Sequence, residues 1–192
     1  KGPMQTALAI FIVSAIIFRS FSMAVMLLVI LMTTLFAQYG LGGYFTTVKN
    51  WSGNLAFHLL VTLSISMGLG VDYGIHMTSR YREELAAGND VPESVRHAIR
   101  TVGVALVLAT LATVVGFLTM NFSDAPPFHN LGNIVAIGIT AAFFYSVFFL
   151  PALVSVLPAS LQVKQYPRQF VIMEVLARLV VSHKKAILVV TL

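Results

Sequence analysis

The sequence predicts an all-α fold, a polytopic transmembrane helical bundle with five spans, the start of a sixth, and amphipathic helices on the cytoplasmic surface. Three observations predict it. Of 192 residues, 58% are hydrophobic and only 10% charged, with a mean hydropathy of +0.89. A soluble domain of this length needs more polar surface to cover its core. The apolar residues gather in runs that approach or reach the roughly 20 helical residues needed to cross a bilayer. The basic residues sit between those runs and divide unequally between the two sides.

The runs cover residues 3–18, 21–39, 55–79, 102–122 and 130–157, and a further one opens at Ala186. The first is short. The opening Lys1-Gly2-Pro3 has neither a basic leader nor a cleavage site, so no signal peptide is predicted. Both ends look cut, and a piece of a longer protein is expected. Residues 1–158 form the predicted bundle, 159–185 a cytoplasmic amphipathic linker helix, and 186–192 the start of the next span.

The connections differ in character. Arg19-Ser20 is a tight turn, and residues 40–54 read as a loop with Tyr44, Phe45 and Trp51 of an interfacial belt. Asp124-Ala125-Pro126-Pro127 is a short breaker. Residues 80–100 are long and charged. Within them Asp90 is placed to cap a helix, with Pro92 in its first turn and Glu93 three residues on. Val91, Val95, Ala98, Ile99 and Val102 then recur at helical spacing opposite Arg96, His97 and Arg100, which predicts a helix on the membrane surface or an extension of the following span. Phe170, Met173, Ala177 and Val180 against Glu174 and Arg178 predict a second such helix.

Orientation follows from charge. With the first span running inward, ten Lys and Arg lie on inner segments (Arg19, Arg80, Arg82, Arg96, Arg100, Lys164, Arg168, Arg178, Lys184 and Lys185), against Lys1 and Lys49 outside. Residues 80–100 are therefore expected in the cytoplasm. The net charge of +5 belongs to these membrane-flanking segments, so no nucleic-acid partner is predicted. Cysteine is absent, which excludes disulfides and thiolate metal sites. No zinc-protease, nucleotide-loop or nucleophile-elbow pattern occurs, so neither an enzyme nor a metal or organic cofactor is predicted.

Asp72 carries the functional reading. It lies inside the third run, eight residues before Arg80, or about 12 Å at the helical rise. An ionised carboxylate at that depth costs at least a few kcal/mol, so it must pair, take up a proton or face water. Such a group can accept a proton from one side and release it to the other. The competing reading is an acid that only joins helices by hydrogen bonds. Tyr73 is adjacent and His76 follows at i+4, on the face of Asp72, where it could extend a relay or simply bond a backbone carbonyl. Gly68, Gly70 and Gly74 surround the acid in a small-residue pattern that admits a close neighbouring helix. Val71 breaks the Gly-x-Gly-Asp order of intramembrane aspartyl proteases, and a second acid within a span is lacking. Thr110 and Thr113 offer polar contacts on the fourth run, and Pro151 should kink the fifth.

The segment Gly68-Leu69-Gly70-Val71-Asp72-Tyr73-Gly74-Ile75-His76, followed by Ser79-Arg80-Tyr81-Arg82-Glu83-Glu84, resembles the fourth transmembrane helix of the resistance-nodulation-division (RND) superfamily, in its MMPL and hopanoid-transporter branch. Phe18-Arg19-Ser20, Ala98-Ile99-Arg100-Thr101-Val102-Gly103 and Leu150-Pro151-Ala152-Leu153 resemble other landmarks of that family in the same order. The resemblance implies helices two to six of one half of a transporter, a sterol-sensing-domain-like unit, followed by the start of helix seven. It implies export of lipids or other hydrophobic compounds driven by the proton-motive force in the bacterial inner membrane. Protons are then the coupling ion, and Asp72, Tyr73 and His76 form the relay. Expected partners are the membrane, a hydrophobic substrate, the second half of the same transporter with its periplasmic domains, and either further copies or periplasmic proteins. Two alternatives remain open: a sterol-sensing-like regulatory module that binds lipid, and a SecD-type protein-export accessory, which typically has Ala-Asn where this chain has Tyr73-Gly74.

Overall fold

A computed structural model describes residues 21–48, 55–124 and 126–156, together with Gln5, Leu8, Ala9, Ile12 and Ser182. The expected first span, Trp51, the linker over 159–185 and the run from Ala186 lie outside the described residues or rest on only one or a few of them. The described chain is helical in four rods. The first is α1 (Phe21–Val48) and the second α2 (Leu55–Ala86). The third joins α3 (Val91–Ala98), a wide π-helical turn (Ile99–Gly103) and α4 (Val104–Leu118), then tightens into a 3-10 turn at Thr119–Phe122. The fourth joins α5 (Pro126–Phe144), a second π-helical turn (Tyr145–Phe149) and α6 (Leu150–Val156).

Among the described residues three helices are long and apolar enough to cross a membrane: Phe21–Phe45, Val91–Phe122 and Phe128–Val156. The second rod, at 32 residues, is about 48 Å long, and it carries its charged residues toward its C-terminal end.

Two expected loops prove largely helical. α1 runs through Gly40, Gly42 and Gly43 to Val48, where the sequence reads as a loop from residue 40. Each glycine weakens a helix by about 1 kcal/mol relative to alanine. In a span this is outweighed, because backbone groups released from a helix would find no water to bond. α2 likewise continues past Ser79 to Ala86. Arg80 pairs within the helix with Glu83 at 2.9 Å and Glu84 at 2.6 Å. The helix stops where Gly88 takes φ +96°, a left-handed conformation that a side chain would strain. The long charged connection thus shrinks to the few residues between Ala86 and Val91.

Asp90 caps α3 as its spacing predicts. Its Oδ1 accepts the backbone N–H of Glu93 at 2.9 Å, ahead of Pro92 in the first turn. Asp90→Ala should lower the melting stability by about 1 kcal/mol; a thermal-shift measurement on the purified protein checks it. Beyond the cap, α3 does not form a separate surface helix. It runs through Ile99–Gly103 straight into α4, the extension that the sequence left open. Its apolar face is spent on the protein: Ala98 is buried, and Val91, Val95, Ile99 and Val102 pack against the core.

The fourth rod occupies the centre, with α5 touching α1, α2 and α4. Met23, Leu27 and Ile30 of α1, Tyr73 and Met77 of α2, and Val135, Ile139 and Ala142 of α5 form the main core. Small residues set the spacing. A Cβ on Gly132 would overlap the backbone carbonyl of Phe117, and one on Gly138 would overlap Ser66 Oγ and the Gln38 amide. Pro151 has no N–H to give to the carbonyl four residues back, and the wide turn just before it absorbs that loss. There the N–H of Leu150 reaches the Tyr145 carbonyl, five residues back.

Candidate functional site

On α2, residues four apart stack along one line, and the line through Ser64, Gly68, Asp72 and His76 faces away from the rest of the bundle. The Asp72 side chain is 59% exposed and that of His76 61%. Asp72 Oδ1 and His76 Nε2 lie 3.4 Å apart, so the pair predicted from the i+4 spacing meets. Above them Ser64 and Gly68 are small and exposed, and a Cβ added at Gly68 would meet nothing within 4 Å. The acid lies 17 residues into the helix, about 25 Å from its first residue, close to its midpoint.

Tyr73 points elsewhere. Successive residues on a helix are rotated by about 100°, which turns this ring into the bundle, where it is 2% exposed. Its hydroxyl lies 3.2 Å from Thr110 Oγ1 on α4. Thr110 has one hydroxyl proton, and the Leu106 carbonyl stands 2.6 Å away to accept it, which leaves the tyrosine to donate across the helix gap. The structure therefore brings Asp72 together with His76 and directs Tyr73 to Thr110. Tyr73→Phe is expected to lower stability by about 1 kcal/mol, the worth of one buried hydrogen bond, while Thr110→Val in the same background adds little more. A double-mutant cycle on melting measures the coupling.

The three glycines also divide. Gly68 belongs to the open line of Asp72. Gly70 faces Ala142 of α5, at 3.5 Å from an added Cβ, and a Cβ on Gly74 would strike Leu27 of α1. These two close the bundle behind the acid rather than in front of it.

Several polar residues away from this face escaped sequence reasoning or were misplaced by it. Gln38 is 2% exposed on α1 and donates through Nε2 to the Ile134 carbonyl at 3.4 Å. Its isolation in an apolar run was the available signal. Asn130, at the outer end of the fifth run, is buried; beside it His129 contacts the Ser123 carbonyl at 2.5 Å. Asn121 and Asn133 exchange amide hydrogen bonds at 3.0 and 3.1 Å, tying the two ends of the turn between α4 and α5. At the opposite end Glu84, 9% exposed, accepts from Arg80 at 2.6 Å and Asn89 at 2.7 Å and approaches His97 at 3.5 Å, which fastens α2 to α3. No group of three His, Cys, Asp or Glu able to hold a metal ion occurs among the described residues.

Apolar helices of spanning length, packed through glycines, define a multi-pass membrane protein. Residues 3–181 match the MMPL family, and the chain belongs to it. It is 33% identical over 127 residues to the hopanoid transporter HpnN of Rhodopseudomonas palustris, covering 66% of this chain and 14% of that protein. It is 30% identical over 87 residues to the sulfolipid-1 exporter MmpL8 of Mycobacterium tuberculosis, covering 45% and 8%. Protein dispatched homolog 3 of Homo sapiens is 30% identical over 146 residues, covering 69% and 10%. The chain thus spans less than a sixth of the length of these relatives. No solved structure shows a significant match.

Proposed function

We propose that this chain is the relay-bearing part of a proton-driven exporter of lipids or other hydrophobic compounds in a bacterial inner membrane. The observation that carries the reading is the exposed carboxylate of Asp72 midway along a 32-residue helix, on a face that nothing in the described bundle covers. Left against acyl chains an ionised acid is strongly disfavoured. In the membrane this face therefore meets water or another helix of the whole protein, and Ser64 and Gly68 leave room for a helix to approach closely. The hopanoid and sulfolipid transporters among the relatives support the substrate class.

Asp72 would take a proton from the outer side and pass it inward, with His76 on the cytoplasmic side of the step. Movement of one charge through 100 mV supplies about 2.3 kcal/mol. Neutralising the acid removes its attraction for charges on the facing helix, and the two halves then favour a different arrangement. Tyr73, bonded to Thr110, would carry that change to α4 rather than conduct the proton. In this reading α1, α2, α3–α4 and α5–α6 are four of five spans, residues 3–18 supply the fifth, and the turn between α2 and α3 lies in the cytoplasm. The test is proton-driven transport of a labelled lipid into inverted vesicles, whose lumen is the export side, holding the full-length protein. A proton-conducting uncoupler should stop export; export that continues without a proton gradient rejects the proposal.

The likeness to dispatched homolog 3 and one feature of the structure favour a second reading, a sterol-sensing-like module. A groove between α1, α4 and α5, lined by Leu41, Phe45, Leu118, Ala136 and Ile137 together with Asn133 and Thr140, is mostly apolar, as a lipid tail requires. That reading has no use for a titrating Asp72, so its variants separate the two.

A further inference from the structure

The helix that runs from Val91 to Phe122 is far less buried than the other two spans. Its free side is ordered by chemistry along its length. Arg96 and Arg100, one turn apart, are exposed near one end, and Val104, Val107, Leu108, Leu111 and Val115 are exposed below them. From Val104 to Val115 is about 16 Å at the helical rise, close to half of a hydrocarbon core about 30 Å thick. Apolar exposure continues through Leu118 to Phe122, about 27 Å from Val104, so the half nearest the arginines has the depth of one leaflet and would set the guanidinium groups at the height of its phosphates. Arg96 shares its charge with Glu93 at 2.6 Å, whereas Arg100 pairs with no carboxylate among the described residues. Guanidinium forks match phosphate oxygens in shape and charge.

We propose that this face is a binding site for one anionic phospholipid, its phosphate held by Arg100 with Arg96 assisting and its acyl chains laid along Val104, Leu108, Leu111 and Val115. The unshared positive charge of Arg100, with Arg96 one turn away, stands above the apolar strip and selects this occupant over a zwitterionic lipid. It also selects this occupant over another apolar helix, which would leave Arg100 without counter-charge. The site is independent of the relay, and Asp72→Asn should leave it unchanged.

The test uses the full-length protein in nanodiscs made from equal parts phosphatidylglycerol and phosphatidylcholine, with the retained lipid measured by native mass spectrometry. An arginine near an anionic surface is worth about fivefold in relative affinity. Arg100→Gln should therefore lower the preference for phosphatidylglycerol about fivefold, Arg96→Gln should lower it less, and Arg100→Lys should retain most of it. Arg100→Lys also guards against misfolding, because the charge survives while the side chain changes. If the double glutamine variant keeps the parent preference, or the parent shows none to lose, the proposal is overturned. A face covered by another helix or by a second copy would give that same overturning result.

Discussion

Asp72→Asn in the full-length protein should reduce proton-driven export by at least tenfold while leaving expression and melting stability close to those of the parent. The amide keeps the size and most of the hydrogen-bonding capacity of the acid but cannot change charge. Because Asp72 is exposed on α2 and its carboxylate pairs only with His76 among the described residues, its loss disturbs little packing. The cost therefore falls on the coupling step. Asp72→Glu should restore part of the export, since the carboxylate survives on a longer arm. His76→Gln should weaken export less than Asp72→Asn, because His76 extends the path and does not hold the charge that the field acts on. If the asparagine variant exports at the parent rate, the relay reading is rejected. If it fails to accumulate in the membrane, Asp72 is a packing residue.

The second large effect concerns the bundle itself. Gly132→Ala and Gly138→Ala should each lower stability by about 1–3 kcal/mol, the usual range for forcing a methylene into a filled core. At Gly132 the obstacle is the backbone carbonyl of Phe117, which cannot rotate out of the way. At Gly138 the obstacles are Ser66 Oγ and the Gln38 amide, both side chains, yet both buried among three helices. Gly116 is the control. An added Cβ there meets nothing within 4 Å, and Gly116→Ala should be neutral or slightly stabilising through helix propensity. Gly68→Ala, also unobstructed within this bundle, is the informative exception. If another helix lies over the Asp72 face, this substitution should impair export in the full-length protein without destabilising the bundle. Thermal melting and export, read side by side, distinguish the two sets.

How much of this was legible follows from what sets each feature. Hydropathy runs located the rods because burial and membrane insertion are both governed by apolar area, which composition reports directly. The ends of the rods were misjudged for the opposite reason. Three glycines near residue 40 and the charges after Ser79 are loop signals in water, and neither outweighs the demand for satisfied backbone hydrogen bonds or the Arg80 pairs with Glu83 and Glu84. The cap at Asp90 was legible because it is local: one side chain bonds an N–H three residues away. Within the site, periodicity placed Asp72 with His76, since four residues return to the same face. The resemblance implied Tyr73 as a companion of Asp72 in the relay, and the helical rotation between neighbours turns the two side chains to different faces. The division of Gly68 from Gly70 and Gly74 follows the same rotation and could have been read from it. The Thr110 partner could not, because it depends on how α4 packs against α2, and no local pattern encodes that distance.

The central claim is that Asp72 changes its proton occupancy within the membrane as the protein works. The most direct measurement is infrared difference spectroscopy of the full-length protein in lipid, following the carbonyl band of protonated carboxyl groups as pH is stepped across the transporting range. The account predicts a band that grows as the outer side is acidified, shrinks on return, and is missing from Asp72→Asn. A band identical in the parent and in Asp72→Asn, with no part of it assignable to this side chain, would contradict the account.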